Sequence, residues 1–228
     1  MMAPAPSLPA GIARLLEEAA EWRLLGLLFE YPSEAWRRRL EALLPDLRSA
    51  ALRELAAAAL EHASPGLHVA LFGPGGAVRA REVSYRGGMQ PGYLMAELAA
   101  YYDAFGYQPA LDEPDDHMAV TLGFVSYLKL KQAYALAAGD TERARIAEEA
   151  AANFLKDHLA AYAAPVAAAL ENSGPDFLAE AGKMVLSRTG APPDSARISR
   201  SHWPAEAESD EITCGAPAVG DGLIQFRP

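Results

Sequence analysis

The sequence predicts an all-α fold: a compact single-domain helical bundle with an extended C-terminal tail. Three observations support this. Apolar residues recur at helical spacing in one segment after another. Gly and Pro clusters interrupt the chain at helix-length intervals. No alternation of apolar and polar residues persists long enough to predict a sheet. The 228 residues suit one domain with a tail. Residues 1–10 are Pro/Ala-rich and expected to be disordered, residues 11–189 carry the helical domain, and residues 190–228 form an acidic, Pro/Gly/Ser-rich tail.

The first helix is expected from about residue 11 to 30. Arg14, Glu17, Glu18 and Glu21 make its solvated stripe, with Ile12, Leu15, Leu16 and Ala19 opposite. From Leu24 to Phe29 it is apolar all round, which predicts burial of its second half. Tyr31-Pro32 stops it, and Ser33 can cap a second helix over about 34–44. A third follows Pro45-Asp46 and runs to about His62. Residues 64–86 hold several glycines and are expected to be a long irregular connection. Gly73-Pro74-Gly75-Gly76 lacks the Gly-Lys-Ser/Thr ending of a phosphate loop and any preceding strand, which argues against nucleotide binding there.

Pro91 suits the first turn of the next helix. Leu94, Leu98, Tyr101, Tyr102 and Phe105 form its stripe, and Gly106 suits its C-terminal stop. A helix over about 115–138 is apolar around most of its circumference and is expected to be the central one. Gly139-Asp140-Thr141 ends it and caps the next, in which Pro165 predicts a kink or break. Asn172-Ser173-Gly174-Pro175 is a further stop before a last helix over about 176–188.

Composition limits function. Hydrophobic residues make up 51 % of the chain, enough for a core, although much of that is alanine. A formal net charge of −10 repels phosphate backbones, so nucleic acid is not an expected partner, and basic partners are favoured. The same charge would also serve solubility alone. The single cysteine, Cys214, allows neither an internal disulfide nor a Cys-based zinc site. The N-terminal segment lacks the basic n-region of a secretory signal. The longest near-apolar run, from Leu159 to Leu170, is too short for a bilayer of ~20 residues. A cytoplasmic protein without stable membrane insertion is expected.

The densest polar cluster is Asp112-Glu113-Pro114-Asp115-Asp116-His117, immediately before the most apolar helix. Acids there would cap the helix and complement its dipole, with Asp112 or Glu113 as the cap. His117 does not fit that role, because a helix N-terminus disfavours a protonated imidazole. Asp116 and His117, as neighbours on a helix, would point about 100° apart and bracket a ligand rather than bond each other. His158 lies on an apolar stripe and is expected to be a satisfied core histidine. Too few histidines and acids converge in sequence for a metallohydrolase, no serine sits in a nucleophile elbow, and Cys214 has no paired base in view. No catalytic role and no cofactor are expected.

A second string, Trp22-Arg23-Leu24-Leu25-Gly26-Leu27-Leu28-Phe29-Glu30-Tyr31-Pro32, reads as a core helix with a proline stop. Together the two strings resemble the TorD/DmsD/NarJ family of redox-enzyme maturation chaperones. Trp22, Leu25, Leu28, Phe29, Tyr31 and Pro32 match its first pattern. Glu113, Pro114, Asp115, Asp116 and His117 match its Glu-Pro-x-Asp-His pattern. The similarity spans about residues 15–190 and includes Gly92-Tyr93-Leu94 and the stretch from Ala99 to Gly106. The resemblance implies an all-helical chaperone that binds the twin-arginine signal peptide and apo catalytic subunit of a molybdopterin-dependent oxidoreductase. Export would wait until the molybdenum cofactor is in place. Glu113, Asp115, Asp116 and His117 would then meet the arginines. Position alone assigns Tyr85, Pro91 and Tyr93, in the 85–94 loop, to the peptide's apolar stretch. The alternatives are a helical adaptor unrelated to export and, more remotely, a metal-dependent hydrolase.

Overall fold

The computed structural model describes residues 8–190. The expectations for the extreme N-terminus and for the tail, with Trp203 and Cys214, lie outside the described residues. The described chain is helical: α1 (Ala10–Leu28), α2 (Glu34–Leu43), α3 (Ala50–His62), α4 (Pro65–Phe72), α5 (Pro91–Phe105), α6 (Met118–Ala137), α7 (Thr141–Phe154), α8 (Ala160–Ser173) and α9 (Asp176–Thr189). Among the described residues no strand forms, and Arg81 pairs with His117 in an isolated antiparallel bridge.

The pair α1 and α6 is the axis of the bundle, and no other pair of elements packs as extensively. Both helices are apolar around most of their circumference where they meet. Leu24, Leu25, Leu27 and Leu28 are buried in α1, and every residue from Met118 to Ser126 is buried in α6. Small residues allow the close approach. A Cβ on Gly26 would lie 3.3 Å from the carbonyl oxygen of Ala119. Ser126 of α6 donates to the Ala19 carbonyl of α1 at 2.8 Å. α7 packs on α6, and α8 pairs with α9.

Local signals set several helix ends. Ser33 accepts a hydrogen bond from the Trp36 amide at the start of α2, and Asp140 accepts one from Arg143 at the start of α7. Trp36 then ties α2 to α1 through Nε1–H donating to the Leu27 carbonyl at 2.7 Å. Gly106 closes α5 in the left-handed conformation.

Three expectations need correction. Residues 64–86 are not irregular throughout, because α4 occupies their first part. Ser64 caps it through the Leu67 amide, and Pro65 sits at its first turn, where a missing N–H costs nothing. α6 starts at Met118 rather than near Asp115, because a turn bonded from the His117 amide to the Pro114 carbonyl holds the acids outside the helix. Pro165 does not break its helix. The irregularity lies upstream, as a π-helical segment over Leu155–Leu159 joining α7 to α8.

Candidate partner-binding site

The segment from Val78 to Arg86, here called the strap, crosses the N-terminal end of α6. Its backbone is held there by the Met118 amide donating to the Ala80 carbonyl at 2.8 Å and the Glu82 amide donating to the Asp116 carbonyl at 3.1 Å. The side chain of Asp116 completes the attachment. Its Oδ1 accepts from Arg81 Nε at 2.8 Å, and its Oδ2 accepts from the Val83 amide at 3.1 Å. The terminal guanidinium nitrogen of Arg81 also lies 2.8 Å from Oδ1. The Asp116 side chain is fully buried, whereas 43 % of the Arg81 side chain is exposed.

A second buried carboxylate follows on the strap. Glu82 is inaccessible to solvent and faces Nδ1 of His158 at 3.2 Å, while Arg86 Nε donates to it at 2.7 Å. Arg86 also donates to the Asp157 carbonyl in the π-helical segment. His158 is enclosed by the rings of Phe154 and Tyr101. Its Nε2 is buried without a hydrogen-bond partner among the described residues. Beside this cluster the hydroxyl of Tyr162 hydrogen-bonds Thr121 Oγ1 at 2.7 Å, and Tyr85 of the strap stacks on the Tyr162 ring.

His117 caps α6. Its Nδ1 accepts a hydrogen bond from the Ala119 amide at 3.3 Å. Burial, with smaller contributions from the nearby His68 and Arg81, pushes its pKa down to about 4. The imidazole is therefore neutral at pH 7 and has a lone pair to offer. This corrects the expectation that Asp112 or Glu113 is the cap and that capping would not select histidine. The helix dipole opposes only the protonated ring, and that form is suppressed.

The remaining predicted residues lie further out. Glu113 and Asp115 are partly exposed, and their side chains make no hydrogen bond among the described residues. Burial, with the Asp112 charge adding to it, raises the Glu113 carboxyl above its usual value, against the opposing pull of Arg81. The Asp115 carbonyl accepts from Tyr102 Oη at 2.7 Å, which fixes the backbone of the acid turn on α5. Pro91 is exposed, Tyr85 is half-buried, and Tyr93 is 72 % exposed, with Met89 exposed nearby in sequence. The structure thus joins Asp116, His117 and Tyr85 to the strap cluster, and leaves Glu113, Asp115, Pro91 and Tyr93 facing outward.

Sequence reasoning missed Arg81, Glu82 and Arg86. Their signal was the charged run Arg-Glu-Val-Ser-Tyr-Arg inside a Gly-rich connection. His158 lies in the core as expected but is not fully satisfied there: Nδ1 faces the buried Glu82 carboxylate, which sequence reasoning did not identify, and Nε2 has no partner among the described residues. The first motif is mostly architecture. Trp22, Leu25, Leu28 and Phe29 are buried, and Glu30, nearly inaccessible, binds Arg23 at 2.8 Å and Arg39 at 2.5 Å. Tyr31 is exposed and meets the His68 ring edge-on. A separate apolar groove of about 620 Å³ runs between α5, α6 and α7, with Leu130, Tyr134 and Ile146 exposed along it.

No helix among the described residues is long and apolar enough to cross a membrane. Residues 32–168, well over half of the chain, match the family described as Nitrate reductase delta subunit. No curated protein matches the chain. The match contains the Glu-Pro-x-Asp-His string but only Pro32 of the first string, and the chain belongs to the nitrate reductase delta subunit family, the NarJ/TorD-type, non-catalytic chaperones of redox-enzyme maturation.

Proposed function

We propose that this protein is a cytoplasmic chaperone for the apo catalytic subunit of a molybdopterin-dependent oxidoreductase. It holds that subunit's twin-arginine signal peptide and delays export until the cofactor is inserted. The observation that carries this reading is that the strap links two unlike surfaces. Glu113 and Asp115 stand partly exposed at the entry to α6, and their side chains make no hydrogen bond among the described residues. The strap that crosses this entry leads directly into the exposed apolar side chains Met89 and Tyr93. A twin-arginine peptide is cationic and then apolar, which fits that order. The net charge of −10 adds a favourable long-range field for a cationic ligand.

Calorimetry with the partner enzyme's signal peptide, and with a version in which the two arginines are replaced by lysines, tests the proposal. The arginine peptide should bind more tightly, because a guanidinium can engage a carboxylate through two parallel hydrogen bonds. Tyr93→Ala should weaken binding, whereas Tyr134→Ala, in the groove between α6 and α7, should not. Equal affinity for both peptides would favour the adaptor reading. Loss of binding with Tyr134→Ala alone would move the site to the groove.

A further inference from the structure

Asp116 is the acid of the cluster with no exposed surface, and both of its oxygens are already bonded. It cannot meet a partner's arginine in this state. We propose that Arg81 is an internal stand-in for that arginine: on binding, a guanidinium of the client peptide replaces Arg81 on Asp116 and the strap is released from the entry to α6. The proposal rests on the twin-arginine reading above and deepens it.

Four features carry it. The first is the asymmetry of the ion pair. A buried carboxylate left alone is costly, so Asp116 has to keep a cation, but Arg81 is 43 % exposed and can be solvated when it leaves. Exchange of one guanidinium for another conserves the charge and the hydrogen-bond geometry, so the swap itself has little net cost. A lysine offers a point charge and does not reproduce that geometry. The second feature is the weak backbone attachment. Among the described residues its backbone is tied to the rest of the fold only by the bonds of Ala80, Glu82 and Val83 to the segment 116–118 and of the Val78 amide to the Leu71 carbonyl, with Tyr85 stacked on Tyr162 of α8. Gly73-Pro74-Gly75-Gly76 precedes it and Gly87-Gly88 follows it.

The third feature repeats the first. Glu82 is also inaccessible, and Arg86, 21 % exposed, covers it. Arg81 and Arg86 therefore each cover a buried acid from the solvent side. The fourth is His158 Nε2, a buried polar atom on the residue facing Glu82, with no partner among the described residues. Such an atom is costly where it stands, and loss of the Glu82 contact at Nδ1 would free the ring to turn toward a partner.

The experiment uses the full chain and the two peptides already described. Arg81→Gln removes the internal competitor. It should tighten the arginine peptide by about tenfold, as expected when a competing closed state is removed, and tighten the lysine peptide by clearly less. Asp116→Asn should abolish the preference for arginine. In the wild type, hydrogen exchange at the Glu82, Val83 and Met118 amides should accelerate when the arginine peptide is added, because all three bond across the strap contact. Selective binding by the wild type, combined with unchanged or weakened binding by Arg81→Gln, would overturn the exchange while leaving the proposed function standing. If Arg81→Gln does not fold, the wild-type amides decide: unchanged protection on peptide addition overturns the exchange. Equal wild-type affinity for both peptides removes the function and, with it, this inference.

Discussion

His117 should make the protein acid-sensitive by a predictable amount. In the folded state its pKa is depressed from the usual 6.5 to about 4, chiefly by burial. In the unfolded chain it recovers the usual value. A depressed folded pKa contributes stability that is fully present above about pH 6.5 and is lost as the pH falls toward 4. At pH 5 the unfolded chain holds the proton and the native cap does not. The linkage relation then gives a loss of about 2 kcal/mol relative to pH 8, rising to about 3 kcal/mol below pH 4. His68, lowered mainly by burial, adds to the slope, and Glu113, raised by burial, subtracts from it. Comparison with His117→Asn removes both contributions. Asparagine is a good cap and does not titrate, so the variant keeps an acceptor for the Ala119 amide. Urea unfolding at pH 8 and pH 5 should show a larger acid loss for the wild type than for the variant, by about 2 kcal/mol. Their absolute stabilities need not match. Parallel pH profiles for the two proteins would refute the neutral, buried cap.

Other substitutions address the framework. Gly26→Val should lower stability by about 1–3 kcal/mol in urea or thermal unfolding, because even a Cβ there would sit 3.3 Å from the α6 backbone. Glu30→Gln removes the acceptor charge shared by Arg23 and Arg39 and should cost about 2 kcal/mol. This lies below the usual cost of breaking a fully buried pair, because both arginines remain partly exposed. Trp36→Phe keeps most of the buried ring but leaves the Leu27 carbonyl without its indole donor. It should cost about 1–2 kcal/mol, and retention of full stability would mean that water replaces the indole.

The fold was legible wherever apolar periodicity and capping chemistry agreed. α1, α5 and α6 have nearly all-round or strongly striped apolar surfaces, and their burial follows that pattern. α4 was missed because Pro65-Gly66 reads as a turn. The deciding fact is the position of Ser64, one residue before a proline at the first helical turn, where serine caps and proline is tolerated. Pro165 misled in the opposite direction. A proline deletes one backbone hydrogen bond, but packing of α8 against α9 holds the helix through it. Several members of the strap cluster were legible, but their pairings were not. Arg81 and Asp116 are 35 residues apart, and Glu82 and His158 are 76 apart. Nothing in local spacing predicts which distant charges a chain will bring together.

The Glu-Pro-x-Asp-His string shows why that matters for function. Pro114 starts the turn that keeps the acids out of α6, Asp116 fastens the strap, and His117 caps the helix. Three of its five residues therefore have structural tasks that do not require a ligand. Loss of activity on changing Asp116 or His117 would follow from a detached strap or a frayed helix start as readily as from a lost contact. Glu113 and Asp115 differ, because their side chains are partly exposed and make no hydrogen bond among the described residues. Glu113→Gln combined with Asp115→Asn should leave the urea midpoint within about 0.5 kcal/mol of the wild type. Each exposed charge contributes at most about 1 kcal/mol, so the pair should weaken an arginine-bearing peptide by up to about thirtyfold at low salt, and by less as salt screens the interaction. An unchanged peptide affinity in this double variant would confine recognition to the buried acids, and would make release of Asp116 from Arg81 the step on which all binding depends.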